Sequence, residues 1–393
     1  MTFSQKKFCA PLISLFLILQ SAAGQMTAPA SLGPPDSSSL QPSTPSFLQP
    51  SNPSFLHSLS VAFRVHYGTF MDRQPKLQYI EDAHTFLGEF DIMAQTTGTK
   101  PWQQPANFPL VGMAFLYGQS GANVYVGHVA AILPFVDFHL LNGREMTTNL
   151  RLAFGPAWVQ RTFDPHTDYQ NIVIGSHLNA CVNVMLSVDW RLFPRTALNL
   201  GFSYTHISNG SFRLPNLGLN VPALTVGFRY DLFPEQRRQS RTLAPIKKKI
   251  NYYFSSFVAA KQSLPLESAV YLVNIFTLEA LKDLSRSSRF GGGINMTLDR
   301  ANSREVPNSL TFAWDRSQSH WQASIFAAYE YVIGDLSFPL QVGYYFYNKY
   351  PVNSIYQNIG IKYRFAPHWA AAFALKAHLG NGDFFQWGLA YKL

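Results

Sequence analysis

Cysteine is nearly absent: only Cys9 and Cys181 occur in 393 residues. Cys9 lies in a stretch where Lys6 and Lys7 precede an apolar run from Leu12 to Leu19 and the small residues Ala22, Ala23 and Gly24. That layout predicts a secretory signal peptide over residues 1–24, cleaved near Gln25. Its removal leaves one thiol and excludes an intramolecular disulfide. Charge is also scarce, at 13% of residues, and the formal net charge of +9 falls to +7 once Lys6 and Lys7 leave with the signal. Such a dilute excess lacks the clustered basic stripe of a nucleic-acid binder. It suits phosphate-bearing lipid head groups about as well as it suits ordinary scatter. Long apolar runs are missing beyond the signal; the nearest, Val124 to Leu141, is broken by His128, Pro134 and Asp137, so helical membrane spans are not expected. With no His-Glu-x-x-His, cysteine pair or acidic calcium loop, neither a metal nor a cofactor is expected.

What remains is rich in strand formers without being uniformly greasy: 15% aromatic residues, 25 glycines and a mean hydropathy of −0.03. Residues 25–58 are dominated by Ser and Pro and read as a flexible tether. From residue 59 the chain breaks into alternating segments of roughly 10 residues between Asn, Gly, Pro and Asp clusters, the pattern of membrane-spanning strands. In "LSVAFRVHYGTF", Leu59, Val61, Phe63, Val65 and Tyr67 oppose Ser60, Ala62, Arg64, His66 and Gly68. The closing "FQWGLAYKL" sets Phe385, Trp387, Leu389, Tyr391 and Leu393 against Gln386, Gly388, Ala390 and Lys392. Its final Leu393 departs from the aromatic residue on which outer-membrane barrels usually end. A soluble sandwich also alternates, but its outward faces carry plentiful charge. Here the polar faces are mostly small and neutral.

The expected fold is therefore all-β: a transmembrane antiparallel β-barrel of the outer membrane with about 14–16 strands. The basic, apolar-poor segment 234–249 splits the strand region into 59–233 and 250–393. One larger barrel is the favoured arrangement, because a second closed barrel needs a full set of strands of its own. The alternative is an eight-stranded barrel with an added C-terminal β unit.

Alternation also sets the phase of "TALNLGFSYTHIS", which places Leu198, Leu200, Phe202, Tyr204, His206 and Ser208 on one outward, lipid-side face. Same-side neighbours on a strand stand about 6–7 Å apart, so the imidazole of His206 can lean to Ser208. In the next strand, "NVPALTVGFRYDL", Asn220 shares the phase of Leu224, Val226 and Phe228 and also points outward. A serine hydroxyl needs a neighbouring base to become a useful nucleophile, and a third group fixes that base's tautomer. Asn220 can orient the ring, although an amide offers no carboxylate charge to an imidazolium. Spacing alone favours the plainer reading, an Asn-Gly turn beside a rim histidine.

The run "HISNGSFRLPNLGLN" resembles the signature of the outer-membrane lipid A 3-O-deacylases, the PagL family, and the related acyloxyacyl hydrolases. Those proteins carry a His-x-Ser-Asn core and a Pro-Asn-x-Gly segment, matched here by His206, Ser208, Asn209, Pro215, Asn216 and Gly218. The resemblance implies an eight-stranded barrel over residues 59–233 with its active site on the lipid-facing wall. It implies Ser208 as nucleophile, His206 as general base and Asn209 as a contributor to the oxyanion hole. The family's third residue is a glutamate, and Asn220 stands at that position. Residues 250–393 have no counterpart in the small deacylases.

Two functions are expected from different classes. The first is an outer-membrane esterase that removes 3-hydroxylated or other ester-linked acyl chains from lipid A or a related outer-leaflet lipid. The second is a non-catalytic porin or structural barrel whose extra strands widen the lumen. Neither requires nucleic acid, and the sequence leaves open whether the protein forms a homodimer. If residues 209–219 face outside, the segment 234–249 faces the periplasm, where barrel turns are normally short.

Overall fold

The computed structural model describes residues 58–71, 77, 79–81, 83–234, 238–302, 320–349 and 353–393. The expected signal peptide and nearly all of the Ser/Pro-rich segment lie outside the described residues. The first eight strands are β1 (Leu59–Thr69), β2 (His84–Gln95), β3 (Leu110–Gln119), β4 (His128–Asn142), β5 (Met146–Val159), β6 (Leu178–Phe193), β7 (Thr196–Ser208) and β8 (Leu219–Asp231). The second eight are β9 (Ile250–Lys261), β10 (Tyr271–Asp283), β11 (Ser288–Asp299), β12 (Trp321–Ile333), β13 (Leu336–Asn348), β14 (Ile355–Arg364), β15 (Trp369–His378) and β16 (Asn381–Lys392).

These sixteen antiparallel strands form two closed barrels, β1–β8 and β9–β16, which matches the alternative of an eight-stranded barrel with an added C-terminal β unit and not the single larger barrel favoured above. The reason is pairing. β8 returns to β1 in register from Ser60↔Asp231 to Gly68↔Ala223, so no free edge remains to which β9 could add. Residues 250–393 supply their own complete set, and β16 closes on β9 from Gln386↔Ala259 to Lys392↔Tyr253.

An eight-stranded barrel is just wide enough for its own side chains. In the first lumen Arg151 donates to Glu89 at 2.8 Å and to Asp91 at 2.9 Å. Arg64 pairs with the same two carboxylates and donates to Asn199 Oδ1 at 3.1 Å. Lys362 bridges Glu279 and Glu330 in the second lumen, at 2.9 and 3.1 Å, while Lys261 bridges Asp299 and Asp383 at 2.9 Å each. Both interiors are plugged by paired charges, so the expectation of a widened pore fails on barrel size. The outward faces are the opposite. Phe63, Tyr67, Phe90, Leu200, Phe202, Leu224, Val226 and Phe228 are all exposed, the apolar band of a barrel that stands in lipid.

The connections 120–127, 160–177 and 209–218 share one rim, and the short turns 143–145 and 194–195 share the other with the longer connection 96–109. The segment 232–249 leaves β8 on the short-turn rim and enters β9 there, which accounts for its length: it steps between two closed barrels. The barrels touch at three heights. Near the short-turn rim Val136 and Phe138 pack with Ile333, Tyr331, Phe338 and Trp102. Midway Phe154 meets Phe373 with ring centroids 5.1 Å apart. At the long-loop rim Gln262 N–H donates to Ser211 O at 2.9 Å, and Leu214 N–H donates to Gln262 Oε1 at 2.7 Å.

Val226 pairs with Val65 near mid-strand and is half exposed. Val226→Arg is expected to destabilise the barrel in bilayers by roughly 2–4 kcal/mol in urea titrations of the full chain. Unchanged stability would mean that this face is not in hydrocarbon.

Candidate active site

β7 lies between β6 and β8 with His206 opposite Val182 on one side and Asn220 on the other; Ser208 stands opposite Ala180. Because Ala197, Asn199, Ser203 and Thr205 fill the lumen side, period two sends Tyr204, His206 and Ser208 outward. The structure brings the three expected residues together. His206 Nε2 lies 3.0 Å from Ser208 Oγ, and its Nδ1 lies 2.8 Å from Asn220 Oδ1. Tyr204 O–H also donates to Asn220 Oδ1 at 2.8 Å. An amide oxygen only accepts, so Nδ1 carries the ring hydrogen and Nε2 is left as the acceptor for the serine proton.

Tyr204 was not foreseen as a site residue. The signal was its position two before His206 on the same face, but an outward tyrosine near a strand end is ordinary in a barrel. Its hydroxyl matters here because it occupies the second lone pair of Asn220 Oδ1 and holds the amide in the orientation that His206 needs. Ser208 and Asn209 are each 6% exposed and Asn220 is 1% exposed, while His206 is half-buried. The polar atoms are thus roofed over although they sit on an outer wall.

The roof is the loop after Ser208. Gly210 and Ser211 both have φ of 58°, and Phe212 N–H returns to Asn209 O at 3.3 Å, as in a type I′ turn. The turn centres on Gly210 and Ser211 inside the connection 209–218, so Asn209-Gly210 opens a turn beside the His206–Ser208 hydrogen bond. Asn209 braces the loop: its N–H donates to Asn216 Oδ1 at 3.1 Å, and its side-chain amide donates to Ser176 Oγ at 2.8 Å and Arg213 O at 2.9 Å. With those donors engaged, the nearest N–H groups after Ser208 that donate to no acceptor among the described residues are those of Gly210 and Ser211. Gly218 closes the loop at φ +79°, and a Cβ there would fall 2.8 Å from His206 Cε1.

Two polar-filled barrels with apolar outer bands define an outer-membrane type of β-barrel, and the first bears a hydrogen-bonded Ser–His–Asn chain on its wall. Two family models match this chain: residues 88–229 match "Lipid A 3-O-deacylase (PagL)", and residues 250–393 match "Acyloxyacyl hydrolase, C-terminal domain". The break between the two matches falls between β8 and β9, where the barrels separate. Family and fold together point to an outer-membrane protein. No curated protein matches this chain. Among solved structures, neisserial surface protein A is similar at 12% identity and a TM-score of 0.30, covering 44% of this chain and 97% of that one. A mutant porin of Rh. blastica is similar at 11% identity and a TM-score of 0.18, covering 86% and 99%.

Gly218→Ala is expected to displace the imidazole and to cost at least about 1 kcal/mol in stability, since Ala is strained where φ is positive. Thermal melts and the His206 ring resonances by NMR check both effects together.

Proposed function

We propose that this protein is an outer-membrane esterase that removes ester-linked acyl chains, 3-hydroxylated ones among them, from lipid A or a related outer-leaflet lipid. Ser208 is the nucleophile, His206 the general base, and Asn220 the residue that orients the imidazole. The observation that carries this reading is the hydrogen-bonded chain Ser208–His206–Asn220 on the outward face of the first barrel. A lipid diffusing in the leaflet presents its ester carbonyl directly to that wall.

The steps follow from the geometry. Ser208 Oγ attacks the ester carbonyl as its proton passes to His206 Nε2. The carbonyl oxygen becomes an oxyanion, for which the N–H groups of Gly210 and Ser211, the next open donors along the chain, are the candidates, and Asn209 contributes by holding their turn. The imidazolium returns its proton to the departing lipid alkoxide, leaving an acyl-Ser208 ester. Water, deprotonated by the same Nε2, releases the fatty acid and regenerates Ser208. Asn220 fixes the tautomer throughout but brings no negative charge to the imidazolium. Plugged lumens favour this reading over a diffusive pore.

Expression of the protein and of Ser208→Ala in an endotoxin-bearing host, followed by mass spectrometry of lipid A, is the decisive comparison. Loss of acyl chains is expected with the wild type alone; identical acylation in both strains, with both proteins folded in the membrane, sinks the reading for that substrate. Asn220→Asp keeps the volume, accepts the same two donors from His206 and Tyr204, and adds the missing charge. Its kcat is expected to rise about tenfold or more, by the logic that the imidazolium is stabilised in the transition state. A fall in kcat with intact folding would show that the neutral amide is the better partner.

A further inference from the structure

At the height of His206, residues from neighbouring strands form a level row on the outer wall: Asn220, His206, Val182 and Phe154, from β8 across to β5. One step toward the long-loop rim the row is Ser208, Ala180 and Pro156. The β6 members of these rows are an alanine and a valine, so the wall is shallow beside Ser208. Phe154 does not end the row in open lipid. Its ring meets Phe373 of the second barrel, and Phe373 in turn meets Phe385 at 5.1 Å and Trp387 at 5.8 Å. Overhead, the turn after Ser208 reaches the same barrel. Gly210 lies flat against the Phe385 ring, with no room for a Cβ. Gln262 holds the loop by two hydrogen bonds, from its N–H to Ser211 O and from Leu214 N–H to its Oε1, and its own Nε2–H is anchored on Glu267 O at 2.7 Å.

Val182 stays 38% exposed beside these contacts, so the seam between the barrels forms a shallow apolar recess, with Ala180 and Val182 as its floor, Phe373 and Phe385 beyond and residues 209–214 above Ser208. We propose that the second barrel completes the active site: this recess between the barrels takes the acyl chain of the ester that Ser208 cleaves, and Gln262 is a positioning residue for the turn that faces the oxyanion. The inference rests on the esterase reading above. An acyl chain is the fitting occupant because the recess is apolar, opens toward the lipid-facing wall and begins at the nucleophile. A chain seated against Phe373 and Trp387 is measured by them, so the second barrel sets which chain length is removed.

The test uses the full-length protein in mixed micelles with a chain-length series of 3-hydroxyacyl esters, and with lipid A itself. Phe373→Ala combined with Trp387→Ala is expected to raise kcat/KM for longer over shorter chains by about tenfold. Gln262→Ala is expected to lower kcat about tenfold with KM unchanged, and Gln262→Glu, which keeps the oxygen that Leu214 N–H needs, to restore most of it. Val342→Ala, on the exposed outer face of β13, serves as the folded control with the wild-type profile. Trp387 is half exposed, so Trp387→Ala alone keeps the test alive if the double variant does not fold. Wild-type chain preference and kcat in all these variants, with Ser208→Ala inactive, overturns the inference alone. Full activity in Ser208→Ala overturns the esterase reading instead.

Discussion

Nine residue pairs, from Ser60↔Asp231 to Gly68↔Ala223, join the last strand of the first barrel to its first. In hydrocarbon an unpaired backbone edge costs several kcal/mol per group, so this seam must be complete. Once it is, the interior is narrow, and each inward side chain is chosen for charge pairing within that width. The seam also fixes which residues face out. His206 and Ser208 lie on the lipid side because Asn199, Ser203 and Thr205 face inward and bond with Arg64, His66 and Asn183. Closure leaves the next eight strands no edge to join, and they form a barrel of their own.

The two polar regions of the first barrel follow different rules. Within the lumen, Glu89 and Asp91 each meet both Arg64 and Arg151, and removing any one member would strand a buried charge, typically a loss of about 3–5 kcal/mol. Such a network holds still. On the outer wall the chain of Tyr204, Asn220, His206 and Ser208 contains no carboxylate, so it sits against hydrocarbon without the desolvation cost of a buried acid. The amide at Asn220 fits that setting. A carboxylate there would strengthen the base during turnover and be costly at rest.

Much of this was legible because period two is a property of the backbone. The phase of "TALNLGFSYTHIS" alone placed His206 and Ser208 on one face, and that of "NVPALTVGFRYDL" placed Asn220 beside them. The number of barrels was not legible, since an outward Val or Phe looks the same on a wall of eight strands and on a wall of sixteen. What separates the two cases is the long-range pairing of Val65 with Val226 and of Tyr253 with Lys392, which no local pattern encodes. Gln262 escaped for the same reason: it begins a loop of the second barrel and meets Leu214 only after both barrels have formed. Asn209 was expected at the oxyanion for its place in the motif, and its side chain proves to be the strut of the turn.

The segment 232–249 leaves one barrel and enters the other on a single rim, so the two stand side by side with the same polarity. Lipid tails are as apolar as the side chains they would cover, and the interface at Phe154, Phe373 and Phe138 gains little from the hydrophobic effect. Two separate barrels with such a contact would drift apart as they were diluted in the membrane. Joined by one peptide they keep a fixed effective concentration. The seam between them is therefore indifferent to how many copies the membrane holds, and a lone molecule carries it whole.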